Sequence, residues 1–148
     1  GYGLADPKVR EERLAARLER LARLGPQGMA DNLPGGILSA DASSTARRIA
    51  AWSQARIHPK GYAQAARMLA HGTLANDAAK FSGSVLVIAA SADTITPPRD
   101  CEQIARAFPR ATFRMLKGPG HLSYVEAPEV VNRLIADFAA ACAEEAQA

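Results

Sequence analysis

The chain has 148 residues, 48% of them apolar and 22% charged, which suits one globular domain and excludes a low-complexity segment. A net charge of +3, with the basic excess gathered before Lys80, is too small for a nucleic-acid footprint. No apolar run is long enough to cross a membrane, and Cys101 and Cys142 make no disulfide framework, so a reducing, cytoplasmic setting is expected.

The chain opens on Gly1-Tyr2-Gly3 without an initiator methionine, which reads as a processed product or a piece of something longer. Asp6-Pro7 is an N-cap followed by proline at the first helical position, and predicts a helix to about Leu24 that stops at Gly25-Pro26. Leu14, Leu18 and Leu21 form its apolar stripe; Arg10, Arg13, Arg17 and Arg20 form a second stripe, read as a solvated face. Gln27 to Asn32 can continue as a short helix, and Asn32-Leu33-Pro34-Gly35-Gly36 is turn chemistry. The Asp41–Thr45 stretch offers N-caps for a helix through Ile49, Trp52 and Arg56. His58-Pro59-Lys60-Gly61 interrupts it, because the residue before proline is pushed out of the helical region. A third helix runs from Tyr62 to His71, with Ala65, Met68 and Leu69 inward, and closes at Gly72.

The period then changes. Val85-Leu86-Val87-Ile88-Ala89-Ala90 is apolar throughout and rich in β-branched residues, the pattern of a parallel strand buried on both faces. Thr96-Pro97-Pro98 leads into a helix whose inward positions are Cys101, Ile104, Ala105 and Phe108. Thr112 to Leu116 alternates as a strand, with Phe113 and Met115 on one face. Pro128 starts a last helix with Val130, Val131, Leu134, Ile135 and Phe138 as its core positions. Such short links predict a right-handed parallel strand–helix–strand–helix unit, whose first strand should have a neighbour on each side.

Two residues carry the chemistry. Asp93 follows the first strand, and His121 follows the second, 28 residues later. Open α/β sheets place their sites at the carboxyl ends of strands, and a carboxylate there can fix an imidazole's tautomer and stabilise its charged form. His58 and His71, at helix ends, read as caps. The Gly-x-Ser-x-Gly spacing of a nucleophile elbow does not occur, and Ser123 is too close to His121 in sequence to face it easily. One histidine among Asp93, Asp100 and Glu126 is a poor zinc set, so neither metal nor cofactor is expected.

The stretch from Val85 through Asp93 to Pro98, followed by Gly120-His121-Leu122-Ser123-Tyr124-Val125-Glu126-Ala127-Pro128, resembles the C-terminal third of α/β-hydrolase enzymes. The nearest group holds 3-oxoadipate enol-lactonases, related esterases, haloperoxidase-like proteins and carbon–carbon bond hydrolases. The resemblance implies an α/β fold, with a helical cap over residues 1–80 and the C-terminal part of the hydrolase core over 81–148. It implies that Asp93 and His121 are the acid and base of a serine-type triad whose nucleophile lies outside this chain, and that a small ester or lactone is the substrate. Trp52, Ile95 and Leu122 are candidates for the pocket wall. Two positions depart from the family pattern: Ala90 stands where glycine is usual, and Pro119 where a small residue is usual. The expected partner is an upstream half of the hydrolase, or a second copy meeting the strand edge; no nucleic acid or membrane is expected. A second reading, from another class, is a non-catalytic assembly module that keeps a vestigial His–Asp pair.

Overall fold

Cap chemistry sets where the helices begin. In a computed structural model, which describes residues 5–146, Asp6 accepts a hydrogen bond from the Lys8 N–H at 2.8 Å and Pro7 opens helix α1 (Pro7–Asp31). The Gly1-Tyr2-Gly3 opening lies outside the described residues. Gly25-Pro26 breaks α1 where the sequence predicts: Gly25 takes φ 60° and ψ 177°, outside the helical region, and a second helical segment runs on to Asp31. Ser43 caps α2 (Ser44–Ala55) through its hydroxyl, and the His58 imidazole accepts from the Gly61 N–H to cap α3 (Pro59–His71). A single turn, α4 (Ala75–Ala78), leads to the sheet.

The inward face of α3 differs from the expected one. Ala66 and Ala70 are buried against Leu14 with Tyr62 beside them, while Ala65 is exposed, Met68 is 68% exposed and Leu69 42%. Helix α3 carries two apolar stripes, and the one with small side chains lets its axis approach α1 closely while Leu14 fills the space between them. Arg10 adds a polar tie. Its guanidinium donates to the Ala70 and Gly72 carbonyls at 2.9 and 3.4 Å, so Arg10 is not part of a purely solvated stripe. Arg20 likewise donates to the Asn32 carbonyl, while Arg13 and Arg17 remain exposed.

Strands β1 (Val85–Ala90) and β2 (Ala111–Leu116) pair in parallel, Val85 opposite Ala111 and Ala90 opposite Leu116. Helix α5 (Pro98–Ala107) crosses between them and packs on both strands. A turn, α6 (Ser123–Glu126), precedes the last helix, α7 (Pro128–Glu145). Ala90, Leu116 and Val131 form a buried cluster with Ile88 and Leu134 against it. The methyl of Ala90, at a position where the related pattern has glycine, is therefore spent in core packing. Two expectations of burial fail here. Only Ala89 and Ala90 of β1 are buried, and Val85 to Ile88 are partly exposed. Among the described residues β1 has one neighbour, β2, so its other edge is unpaired, as the sequence reading expects of this chain. Val130 and Ile135 are about half exposed, at 49% and 51%, because one face of α7 packs and they lie on another. Met115 is also exposed.

Candidate active site

The loops after β1 and β2 are tied together before either functional side chain is reached. Ser91 N–H extends the ladder to the Leu116 carbonyl at 2.9 Å, Ala92 N–H donates to the Pro119 carbonyl at 3.0 Å, and Gly118 N–H donates to the Ser91 hydroxyl at 2.8 Å. Pro119, the second departure from the related pattern, is buried and serves through its carbonyl, which proline retains. Gly118 takes φ 108°, a backbone that glycine adopts freely. The two loops leave the sheet side by side, and Asp93 and His121 meet above its carboxyl end.

His121 Nδ1 lies 2.9 Å from Asp93 Oδ2. Asp93 is 7% exposed and is the buried charged residue among those described. Four donors surround its two oxygens. Oδ1 accepts from the Ile95 and Thr96 N–H groups at 2.8 and 2.9 Å; Oδ2 accepts from the Thr96 hydroxyl at 2.6 Å and from the imidazole. Burial pushes this carboxyl up, but the Thr96 hydroxyl, the Thr96 N–H, the imidazole and the Ile95 N–H outweigh it and hold the pKa below the usual value. Asp93 is thus ionised at neutral pH. An ionised Oδ2 can only accept, so the proton of the pair sits on Nδ1, and the neutral imidazole in that tautomer has its lone pair on Nε2. The histidine side chain is 36% exposed.

Thr96 was not singled out by sequence reasoning. Its hydroxyl also lies 3.3 Å from His121 Nδ1, so it touches both members of the pair. The signal was its place three residues past Asp93, where a short polar side chain can turn back on the carboxylate. Behind it, the Cys101 thiol donates to the Thr96 carbonyl at 3.5 Å; burial first, and the charge of Asp93 second, push that thiol's pKa up.

A third segment, Gly36–Ser39, also packs on this pair of loops. His121 N–H donates to the Gly36 carbonyl at 3.0 Å and Leu122 N–H to the Ile37 carbonyl at 2.9 Å. The Thr94 hydroxyl donates to the Gly35 carbonyl at 3.4 Å. Gly36, at φ 80°, has no room for a side chain: a Cβ there would fall 1.8 Å from Thr94 Oγ1. The remaining expected pocket residues are scattered. Ile95 is 36% exposed and its N–H is held by Asp93. Leu122 is half-buried beside His121. Trp52 is 60% exposed, stacks under the Arg56 guanidinium at 4.1 Å, and shares an open hollow with Thr45, Arg48 and Ile49 that neither Asp93 nor His121 lines. Among the described residues no three His, Cys, Asp or Glu side chains gather as a metal-binding group. Nor is any described helix long and apolar enough to cross a membrane.

A profile of the alpha/beta hydrolase fold matches residues 5–128. The chain belongs to the α/β-hydrolase family. Among solved structures this member of the α/β-hydrolase family is similar to a thermophilic esterase from Thermogutta terrifontis, with 26% identity and a TM-score of 0.77, covering 93% of this chain and 52% of that one. It is also similar to the enol-lactonase from Burkholderia xenovorans LB400, with 20% identity, a TM-score of 0.79, and 87% and 50% of the two chains covered. MenH from S. aureus shares the fold at 17% identity and a TM-score of 0.76, over 92% and 54%. The chain therefore spans about half the length of the solved structures it matches. No curated protein matches it at a significant level.

Proposed function

We propose that this chain supplies the acid and base of a serine-type triad to a hydrolase acting on a small ester or lactone. The observation that carries the reading is the 2.9 Å contact between His121 Nδ1 and the buried, ionised Asp93 at the ends of adjacent parallel strands. In this reading His121 Nε2 takes the proton of a serine hydroxyl as its oxygen bonds to the substrate's acyl carbon. The imidazolium returns that proton to the leaving alkoxide, which in a lactone stays tethered to the acyl group. His121 then takes a proton from water, which attacks the acyl-enzyme, and the proton passes back to the serine as it leaves. Asp93 stays ionised throughout, holding the imidazole and balancing its charge.

The serine and its oxyanion donors come, on this proposal, from a part of the hydrolase outside these residues. Residues 1–80 serve as its cap, with Ile95 and Leu122, next to the pair in sequence, toward the substrate; Trp52 lines a separate hollow. The exposed Ile49, Met68, Leu69, Val130 and Ile135, with the open edge of β1, are the apolar surface such a half would cover.

An activated acetyl ester and a fluorophosphonate probe test this. The 148-residue chain should neither turn over the ester nor take the label. Joined to adjoining upstream coding sequence it should do both, with kcat falling about 10⁴-fold in Asp93→Asn, the loss seen when a triad's orienting carboxylate is neutralised. Labelling of the 148-residue chain that disappears in His121→Ala would place a nucleophile inside it. Activity of the joined protein that is indifferent to both substitutions would favour the non-catalytic assembly module.

A further inference from the structure

Glu126 closes the joint between the histidine's loop and the segment Gly36–Ser39. Its Oε1 accepts from the Gly120 N–H at 2.8 Å and the Ser39 N–H at 3.1 Å; its Oε2 accepts from the Ser39 N–H at 3.2 Å and from the Ser39 hydroxyl. One carboxylate thus gathers donors from two segments: Ser39, 87 residues away from Glu126 in sequence, and Gly120, directly before His121. The two backbones touch there. A Cβ on Gly120 would fall 2.7 Å from the Leu38 carbonyl carbon and 2.8 Å from the Ser39 nitrogen. With the His121–Gly36 and Leu122–Ile37 hydrogen bonds already in place, Glu126 is the clamp at the end of a short backbone pairing. Five residues after Ser39 the chain enters α2, the helix that carries Trp52.

We propose that Glu126 is a positioning residue for His121: it fixes the histidine's loop to Gly36–Ser39 and so couples the placement of the imidazole to the segment leading into α2. The inference rests on the triad reading for its use in catalysis, but the coupling is a property of this chain and can be read without turnover. Charge-assisted hydrogen bonds hold the clamp, and their loss frees Gly120 and Ser39 together. A glutamine at this position keeps an acceptor oxygen for the two N–H groups and turns its NH₂ toward the Ser39 hydroxyl, which can accept, so it should hold the joint.

The test follows the His121 ring Nδ1 proton by nitrogen-edited NMR in the intact protein, with Glu126→Ala, Glu126→Gln, Ser39→Ala and, as a control, Glu129→Ala on the exposed start of α7. In Glu126→Ala, exchange of that proton with water should rise by about tenfold or more, the scale of losing a hydrogen bond to a charged group. Glu126→Gln should restore slow exchange, Ser39→Ala should shift it in the same direction by less, and Glu129→Ala should leave it alone. An unchanged Nδ1 proton in a folded Glu126→Ala protein would overturn the proposal, and so would a glutamine variant as perturbed as the alanine one. Should Glu126→Ala fail to fold, an unchanged proton in Ser39→Ala overturns it. Failure of the triad reading would show instead as turnover that survives His121→Ala with the Nδ1 result intact.

Discussion

Replacing Thr96 with valine removes one hydroxyl and preserves side-chain volume, so it isolates what holds Asp93 ionised. The carboxylate is 7% exposed, and burial alone would push its pKa up. Thr96 is the foremost influence in the other direction, through a hydroxyl that donates to Oδ2 at 2.6 Å. A hydrogen bond to a charged group is worth roughly 1.5–3 kcal/mol, so Thr96→Val should cost about that much near neutral pH. Out of a domain stability of about 5–15 kcal/mol, this is easily measured. The pH dependence carries the diagnosis. Because the folded pKa of Asp93 is depressed, the stability it contributes is fully present above the ordinary carboxyl value of about 3.9 and is lost as the pH falls through the folded value. In Thr96→Val the depression is smaller or reversed, so less remains to be lost in acid. Urea titrations from near neutral pH down to about pH 3 should therefore show a gap that narrows as Asp93 is protonated. A gap of the same size at both ends would mean that Thr96 acts through packing alone, and no gap near neutrality would refute the account of Asp93 altogether.

Gly36→Ala should destabilise far more than Gly25→Ala in thermal melts. Both residues have positive φ, and a side chain in such sparsely populated backbone costs about 1–3 kcal/mol, but a Cβ at Gly36 strikes Thr94 while one at Gly25 meets nothing within 4 Å. Equal losses would show that the Gly36–Thr94 contact is not tight. Cys101, with its thiol pKa raised, should react with iodoacetamide more slowly than free cysteine near neutral pH and gain rate on unfolding; reaction as fast as free cysteine in the folded chain would contradict its burial. Val87→Lys places a charge in the half-buried strand whose outer edge is open, and should lower self-association in sedimentation at micromolar concentration if that edge drives it. A parent chain that sediments as one monomeric species with a cooperative melt would count against edge pairing.

The parts of this fold that were legible in the sequence are those decided by neighbours along the chain. Asp6, Ser43 and His58 announce their caps within three residues, and Val85–Ala90 announces a strand by its β-branched run. The meeting of Asp93 and His121 was legible for a related reason: each stands a few residues past a strand, and parallel strands in register bring such loops together without further information. Choices between faces were not legible. Helix α3 offers Ala65, Met68 and Leu69 on one side and Tyr62, Ala66 and Ala70 on another, and hydrophobicity favours the first. The structure buries the second, because the quantity being optimised is the fit to Leu14 across a close helix contact, which a single helix's sequence does not contain.

The same distinction separates the two halves of the candidate site. Asp93 and His121 are side chains of special chemistry, and special chemistry stands out in a sequence. What holds them is mostly backbone: the Ala92–Pro119 link, the Gly36 and Ile37 carbonyls, the N–H groups of Ile95, Thr96, Ser39 and Gly120. Every residue except proline has an N–H and every residue has a carbonyl, so such partners leave no compositional trace. They betray themselves only where geometry excludes a side chain, as at Gly36 and Gly120, or where a carboxylate is needed to collect several donors at once, as at Glu126. A buried N–H left without a partner costs about as much as a lost hydrogen bond. The frame around His121 is therefore held by several bonds rather than by one. Removing one at a time should loosen the imidazole by degrees, whereas removing Asp93 takes away the carboxylate that its Nδ1 contacts directly.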